Sequence, residues 1–333
     1  MREYFRPVVE TGLRKPDNAL SICGSKLWFN QVEVITRSGS LGFRNVEKFP
    51  SNFFEDITSK RKPISSLNFL NPMIMGIVNL TPDSFSDGGR VRNVRDFSKV
   101  VKNIIRDGAE IIDLGGESTR PGAKDINKII EWKRINKTLK KIKKLNTFIS
   151  LDTRKSWIME KGIKNKVNLI NDVSGFNYDS KTIFVLKKHK IPFVIHHMQG
   201  TPKIMQKKPS YKNVLLDIYD FFENKIKKMR HVGIKHNNII LDPGIGFGKN
   251  LKHNITLLNN ISIFHSLGFP IMLGTSRKKF IKDLSRNNDS KERIGGTISS
   301  SLYAMMQGVQ ILRVHDVNEV NQSIKVFKSL NFK

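Results

Sequence analysis

The sequence is poor in cysteine, because Cys23 is the only thiol among its 333 residues. No disulfide can form within the chain, and a structural zinc site built on cysteines is excluded. The N-terminus also lacks a basic segment followed by an apolar one. It contains Glu3, Glu10 and Asp17, which argues against an acid-poor transit peptide. These features favour a reducing, cytoplasmic location.

Long apolar runs are absent as well: none approaches the ~18 residues of a membrane span, so no membrane association is predicted. Acidic residues are scarce, with 29 Asp and Glu against 58 Lys and Arg, and the net charge is +29. Such a charge is typical of nucleic-acid-binding proteins, but here the lysines are scattered and no basic stretch interleaved with aromatics occurs. We therefore expect no nucleic-acid partner, and some attraction for anionic small molecules.

From Asn71 onward, short apolar runs rich in β-branched residues predict eight strands buried on both faces. These runs are Met73–Val78, Ala109–Leu114, Phe148–Leu151, Val167–Ile170, Pro192–Ile195, Ile239–Leu241, Ile271–Leu273 and Gln310–Val314. Helical patterns lie between them, at Val94–Ile105 before Gly108, Ile126–Leu145, Trp157–Asn165, Lys181–Lys188, Val214–Val232 and Ile255–Leu267. This alternation predicts an α/β fold, a (β/α)8 TIM barrel. An open doubly wound sheet is the alternative, disfavoured by the lack of a dinucleotide fingerprint.

Residues 1–70 have a different pattern. Leu27–Thr36 predicts one strand, and Phe49–Pro63 is a mixed polar and aromatic connector without a catalytic pattern. We expect residues 1–70 to form an N-terminal extension or small appended subdomain, and residues 71–333 to form the barrel.

Polar residues follow each of the predicted strands. A barrel brings the C-terminal ends of its strands together at one mouth, so we expect a site there. The residues concerned are Asn79, Asp113, Glu117, Asp152, Asn171, Asp172, His196, His197, Asp242, Ser276, Arg277, Lys278, Arg313 and His315. Some of these acidic residues, such as Asp172, and the nearby Asp316 are also candidate helix caps. Acceptors, amides and cations at one mouth suit a ligand with a hydrogen-bonding ring at one end and an anion at the other.

Two segments that contain glycine or histidine do not match the functional motifs that they resemble. Gly244–Lys249 (GIGFGK) resembles a phosphate loop, but Pro243 and Asn250 stand where that loop needs glycine and a hydroxyl residue. It predicts instead a turn that lets the backbone approach a ligand. His196 and His197 are adjacent on a strand and point to opposite faces, so at most one can face the mouth. The Thr81–Arg90 and Ser118–Lys124 loops are placed to close over the mouth.

These segments resemble, in order and spacing, the motifs of the dihydropteroate synthase family over residues 71–318. They are IMGIVNLTPDSFSDGG, IIDLGGESTRPGA, SLDT, INDVSG, HHMQGTP, LDPGIGFGKN, GTSRKKF and RVHDV. The resemblance implies a barrel, usually a homodimer, that condenses 6-hydroxymethyl-7,8-dihydropterin diphosphate with p-aminobenzoate. The products are 7,8-dihydropteroate and pyrophosphate, in folate biosynthesis, and Mg²⁺ is the implied cofactor.

The resemblance also implies residue roles. The pterin ring is expected to bind Asp152, Asn171, Asp242 and Lys278, with Met198 and Phe247 lining its faces. Thr119, Arg120, Arg313 and His315 are expected to hold the diphosphate, and Asn79 the Mg²⁺ ion. Phe85 and Pro121 are expected to close the p-aminobenzoate slot. Asp113 and Ser276 complete the substrate-binding set, and Asp152, Lys278, Arg313 and His315 form the catalytic set.

Two other functions fit parts of the pattern. A pterin-binding methyltransferase of the same fold would share the Asp and Asn contacts, but it would not need STRPG, SRK and RVH around a diphosphate. A basic nucleic-acid-binding protein built on an inactive barrel predicts the loss of mouth residues, and none of them is missing. Lys279 stands where several family members have a small hydroxyl residue. It either contacts the p-aminobenzoate carboxylate or faces solvent.

Overall fold

The computed structural model describes residues 2–12, 14–81, 97–120, 122–286 and 288–331. The N-terminal part contains β1 (Tyr4–Pro7), β2 (Leu20–Ser21), β3 (Trp28–Phe29), β4 (Gln31–Thr36), β5 (Gly39–Asn45) and the short helix α1 (Glu55–Thr58). Strands β1, β4 and β5 form an antiparallel sheet, and β2 pairs with β3. The prediction of one strand over Leu27–Thr36 was wrong, because the chain leaves one sheet after Phe29 and enters another at Gln31. The predicted connector contains α1.

The barrel strands follow. They are β6 (Met73–Asn79), β7 (Ile111–Gly115), β8 (Phe148–Asp152), β9 (Leu169–Asp172), β10 (Phe193–His196), β11 (Ile239–Asp242), β12 (Met272–Leu273) and β13 (Ile311–Val314). They form one 8-stranded sheet in the order β11-β10-β9-β8-β7-β6-β13-β12. A parallel bridge between Leu241 and Ile271 joins its two edges. The predicted (β/α)8 barrel is therefore confirmed, and every predicted strand overlaps an observed one.

The helices around the barrel are α2 (Phe97–Arg106), α3 (Lys128–Ile142), α4 (Ser156–Lys164), α5 (Thr182–His189), α6 (Val214–His231), α7 (Leu251–Asn259), α8 (Lys279–Ser285), α9 (Ile294–Met306) and α10 (Val317–Asn331). Asparagine side chains cap three of them: Asn127 before α3, Asn213 before α6 and Asn250 before α7. The prediction of one helix over Ile255–Leu267 was wrong, because the α-helix stops at Asn259 and a 3₁₀ segment, Ile261–Leu267, follows. Val94 lies outside the described residues.

The interior of the barrel is apolar at the N-terminal ends of its strands. Side chains such as Met73, Phe148 and Ile240 pack there in one buried cluster. Ile64 and Leu67, together with Phe69, belong to the same cluster, although they precede the first barrel strand. The segment before β6 therefore closes the floor of the barrel, and ligands must be recognised at the opposite mouth.

The rest of the N-terminal part packs on the outer surface of the barrel. The Tyr4 hydroxyl lies 2.9 Å from Asp220 of α6. Arg37 pairs with Asp217 at 2.8 Å and with Asp220 at 2.7 Å. The Ser262 hydroxyl donates to the Pro7 carbonyl at 2.9 Å. Among the described residues, no helix is both long and apolar enough to cross a membrane.

Candidate active site

An arginine and two aspartates meet at the centre of the barrel mouth. Arg313, on β13, donates from Nε to Asp113 Oδ2 at 2.7 Å and from Nη2 to Asp152 Oδ2 at 2.8 Å. Both aspartates are at most 5% exposed. Burial raises the pKa of Asp152 above its usual range, and the adjacent Arg313 guanidinium opposes this rise and favours the charged carboxylate. The pKa of Arg313 is raised, because the two carboxylates outweigh its burial.

Asp113 connects the arginine to the neighbouring strands. Its Oδ1 accepts from the Ser150 hydroxyl at 2.6 Å, and its Oδ2 also accepts from Asn171 Nδ2 at 3.2 Å. Protein donors thus occupy both oxygens, so Asp113 orients Arg313 and Asn171. The other end of the amide is different: Asn171 Oδ1 is buried, and no described residue donates to it. A buried acceptor without a donor is costly, so this oxygen is well suited to a ligand N–H.

A second group of side chains lies around the glycine-rich turn after β11. Asp242 Oδ1 accepts from the Gly244 amide at 2.8 Å. Lys278 Nζ donates to the Ile245 carbonyl and lies 4.7 Å from the centroid of the Phe247 ring. The His196 ring packs edge-on against Phe247 at 4.6 Å. Burial lowers the pKa of Lys278 to about 7, and Asp242 partly opposes this effect.

Glycine is required within this turn for steric reasons. Gly244 has a φ of +69°, and a Cβ atom there would lie 1.9 Å from the His197 carbonyl oxygen. Only glycine combines that backbone conformation with that contact. The turn therefore lies directly against the end of β10, which places Asp242 and Phe247 beside His196.

His315 and Ser276 form a third group, at the ends of β13 and β12. Ser276 Oγ accepts from the His315 backbone amide at 3.1 Å and lies 3.0 Å from His315 Nδ1. Burial, and the cations Arg277 and Arg313 nearby, lower the pKa of His315 to about 3. Ser276 therefore contacts and orients His315. Arg277, which the sequence places at the mouth, pairs with Asp316 at 2.9 Å, so Asp316 binds an arginine side chain in addition to preceding α10.

Asn79 and Asp152 approach each other across Gly115. A Cβ atom on Gly115 would lie 3.7 Å from Asn79 Oδ1 and 3.6 Å from Asp152 Oδ2. The absent side chain leaves a space lined by an amide oxygen and a carboxylate oxygen, which are donor atoms that Mg²⁺ prefers. No group of three or more His, Cys, Asp or Glu side chains suited to a metal occurs in the described ranges. The residues therefore fit a Mg²⁺ ion that takes its other ligands from substrate and water.

The two loops are described in part. Phe85 and Pro121 lie outside the described residues. Thr119 is half-buried and Arg120 exposed. The Gly122 amide donates to the Pro202 carbonyl at 3.0 Å, so this loop contacts the loop after β10 that carries the half-buried Met198. Lys279 is exposed and lies 3.7 Å from Asp283, so it faces solvent.

The structure also contains buried polar residues that the sequence did not single out. Lys249 is 2% exposed, and its Nζ lies 2.9 Å from both His197 Nδ1 and the Phe247 carbonyl oxygen. Arg154 and Lys155 pair with Glu117, which is buried beside the mouth instead of facing it. The prediction of a helix cap at Asp172 was wrong, because its Oδ1 accepts from Ser174, well before α5. The roles of Lys249, Arg154 and Lys155 depend on partners that are distant in the sequence.

Comparison with known proteins identifies the family of this chain. The family described as "Pterin binding enzyme" matches residues 75–315. The dihydropteroate synthase of Escherichia coli K12 is 38% identical over 266 residues, which cover 80% of this chain and 94% of that protein.

Solved structures of dihydropteroate synthases are also similar to this chain. A Yersinia pestis dihydropteroate synthase in a sulfonamide drug complex superposes with a TM-score of 0.74 at 36% identity, covering 79% of this chain and 96% of that one. The Xanthomonas albilineans dihydropteroate synthase in complex with 7,8-dihydropteroate gives a TM-score of 0.72 at 27% identity, covering 81% and 98% of the two chains. The fold, the mouth and these similarities agree, and the chain belongs to the dihydropteroate synthases of the pterin-binding enzyme family.

Proposed function

We propose that this protein condenses 6-hydroxymethyl-7,8-dihydropterin diphosphate with p-aminobenzoate at the mouth of its barrel, in folate biosynthesis. The observation that carries the proposal is the buried Asn171 Oδ1, to which no described residue donates. It lies near acceptors and donors on neighbouring strands, as recognition of a polar heterocycle requires. In this proposal Asn171, Asp242 and Lys278 bind the ring edge, with Met198 and Phe247 against its faces.

The diphosphate is assigned to the cationic side of the mouth. Arg313 lies on β13 and His315 directly follows that strand, while Thr119 and Arg120 lie on the loop after β7. Ser276 Oγ accepts from the His315 amide, so its proton is available to His315 Nδ1. With Ser276 as the donor to Nδ1, the neutral imidazole carries its N–H on Nε2, as a donor for a phosphate oxygen. Asn79 is the residue that would hold Mg²⁺, and the ion would supply charge stabilisation for the leaving group.

The bond changes are simple. The carbon–oxygen bond between the pterin methylene and the diphosphate breaks, and its electron pair leaves with pyrophosphate. The amine nitrogen of p-aminobenzoate then forms the new carbon–nitrogen bond and loses one proton to solvent. Asp152, beside Arg313, stabilises the positive charge that develops on the methylene. The carbon is already electrophilic, so the weakly basic amine needs no strong general base.

Assembly and location are also part of the proposal. A homodimer is supported by the exposed apolar side chains of Leu284, Val326 and Leu330 on the outer helices, because exposed apolar surface is commonly covered by a partner. A reducing cytoplasm is supported by the free thiol of Cys23. Light scattering of the purified protein measures the mass of the assembly, and a monomer at micromolar concentration contradicts the dimer.

A direct assay tests the reaction. Purified protein is incubated with the pterin diphosphate, p-aminobenzoate and Mg²⁺, and 7,8-dihydropteroate and pyrophosphate are quantified. We expect equimolar products, no 7,8-dihydropteroate without p-aminobenzoate, and strong inhibition by a chelator. Absence of product, together with tight binding of methyltetrahydrofolate, would favour the methyltransferase of the same fold.

A further inference from the structure

We propose that Arg154 and Lys155 are positioning residues for the Ser118–Lys124 loop, because the Arg154 guanidinium joins the two residues that flank this loop. The inference rests on the proposed function, in which Thr119 and Arg120 of the loop contact substrate. It extends that function to residues that touch no substrate.

The connection is direct on both sides of the loop. Arg154 Nη2 lies 2.7 Å from Glu117 Oε2, just before the loop, and 2.8 Å from Asp125 Oδ1, just after it. The Ile126 amide donates to Glu117 Oε1 at 3.0 Å, which joins the two ends of the loop, here called the loop base, a second time. The Tyr178 ring lies 4.3 Å from the guanidinium and covers it.

Lys155 ties the loop base to the body of the barrel. Its Nζ lies 2.7 Å from Glu117 Oε1 and 2.6 Å from Glu131 Oε2 of α3. Thr153 Oγ1 donates to the other Glu131 oxygen at 2.7 Å. Thr153, Arg154 and Lys155 directly follow Asp152 at the end of β8. The loop base is therefore fixed relative to the carboxylate at the centre of the mouth.

Stability alone is a weak reason for such an arrangement. Glu117, Glu131, Arg154 and Lys155 are all less than 9% exposed, and burying ion pairs often contributes little net stability. Buried charges do, however, accept few alternative arrangements, because each must keep its partner. A network that spans both ends of a substrate-contacting loop thus restricts where Thr119 and Arg120 can lie. Such preorganisation lowers the entropy lost when the substrate binds.

The test compares Arg154→Gln with a matched control. Arg37→Gln also removes an arginine that joins two carboxylates, Asp217 and Asp220, but it lies on the N-terminal extension. Steady-state kinetics give kcat and KM for each substrate, calorimetry gives the pterin Kd, and thermal unfolding gives Tm. For Arg154→Gln we expect KM for the pterin diphosphate to rise by about 10-fold or more, since Thr119 and Arg120 are assigned to the diphosphate and small misplacements of substrate-positioning groups have effects of this size. The Kd of a pterin that lacks the diphosphate should change less than about 2-fold, since the proposed ring contacts lie on other elements.

A purely structural role would lower Tm and leave the KM for the pterin diphosphate unchanged, and that result overturns the proposal. If Arg154→Gln does not fold, Asp125→Asn is the test variant. The Asp125 side chain is 59% exposed, and removing its charge leaves the buried ion pairs intact. A rise in the same KM supports the proposal, and an unchanged KM overturns it. Arg37→Gln should have wild-type kinetics. An inactive wild-type protein refutes the proposed function itself, whereas an active wild type with unaffected variants refutes only this inference.

Discussion

Arg313 donates to Asp152 at 2.8 Å, which makes the part-buried guanidinium and the buried carboxylate one unit. Removing Arg313 leaves Asp152 without its counter-charge in a site of low polarity, at a cost of several kcal/mol, on the order of 3–5, whereas Arg313 keeps Asp113 when Asp152 is replaced. Arg313→Ala is therefore a poor probe of diphosphate binding alone, because it also disturbs Asp113 and Asp152. Variants that keep the shape of this unit, or that lie outside it, are more informative.

Asp152→Asn keeps the shape of the side chain and an acceptor for Arg313 but removes the charge. We expect the variant to fold and to lose turnover by ~10²–10³, as for the loss of one electrostatic contact to a transition state. The measurement is single-turnover formation of 7,8-dihydropteroate. Asp107→Asn makes the same change after α2, away from the mouth, and should leave the rate unchanged. Normal turnover of Asp152→Asn would remove this residue from the mechanism.

Lys278 predicts a pH dependence of pterin binding. Burial lowers its pKa to about 7, so the ammonium form that donates to the ring is lost as pH rises through that value. We expect the pterin affinity to be constant below about pH 7 and to weaken progressively above it, since each pH unit beyond a pKa removes roughly ten-fold of the protonated form. Calorimetric titrations between about pH 6 and 9 provide the measurement. Lys278→Arg stays charged throughout and should show no such decline; an identical decline would place the titrating group elsewhere.

Gly244 and Gly295 form a matched pair of glycines. A Cβ atom on Gly244 would collide with the His197 carbonyl, whereas one on Gly295 in α9 meets nothing within 4 Å. Gly244→Ala should lower the free energy of unfolding by at least ~1–2 kcal/mol, from its backbone conformation alone. It should also weaken pterin binding, because the turn carries Phe247. Gly295→Ala should be neutral or stabilising by up to ~1 kcal/mol. Chemical denaturation measures the free energy of unfolding of both variants. Equal values would contradict the steric argument.

Pyrophosphate should strengthen the binding of p-aminobenzoate or a sulfonamide mimic. Arg120 belongs to the loop that contacts the Pro202 carbonyl through Gly122, and bound anion would draw this loop toward the mouth. Titration of a sulfonamide with pterin held constant, with and without pyrophosphate and Mg²⁺, should show tighter binding with pyrophosphate. Arg120→Ala should reduce this enhancement and leave pterin binding intact. The same sulfonamide affinity in both wild-type titrations would rule out the coupling.

The barrel could be predicted from sequence because its strands carry a local signal. Runs such as Ile239–Leu241 are apolar on both faces, and polar residues such as Asp242 follow directly. The break after Phe29 could not be seen, because both sides of Asn30 have strand-like residues. The boundary between them depends on which partner strand each side finds. The helices α8, α9 and α10 were not predicted from sequence.

The site could be predicted as a set of residues but not as a set of contacts. Arg313 was assigned to the diphosphate, a role that stays a prediction, while its pairing with Asp113 joins residues 200 positions apart in the sequence. Lys249 and Arg154 look like solvent-exposed charges in a lysine-rich chain, because burial is not encoded in the residue type. Arg154 lies two residues after the strand that ends at Asp152, but charged residues near strand ends are too common in this chain to single it out.

The floor formed by Ile64, Leu67 and Phe69 gives the barrel a single opening. When two ligands bind at different depths of a pocket with one opening, the ligand that binds deeper must enter first. A p-aminobenzoate molecule seated above an empty ring pocket would obstruct the pterin, and dead-end occupation by the second substrate would slow each cycle. If the pterin binds deeper than p-aminobenzoate, as the proposed site implies, the closed floor predicts a compulsory binding order, measurable as substrate inhibition by p-aminobenzoate when the pterin is scarce.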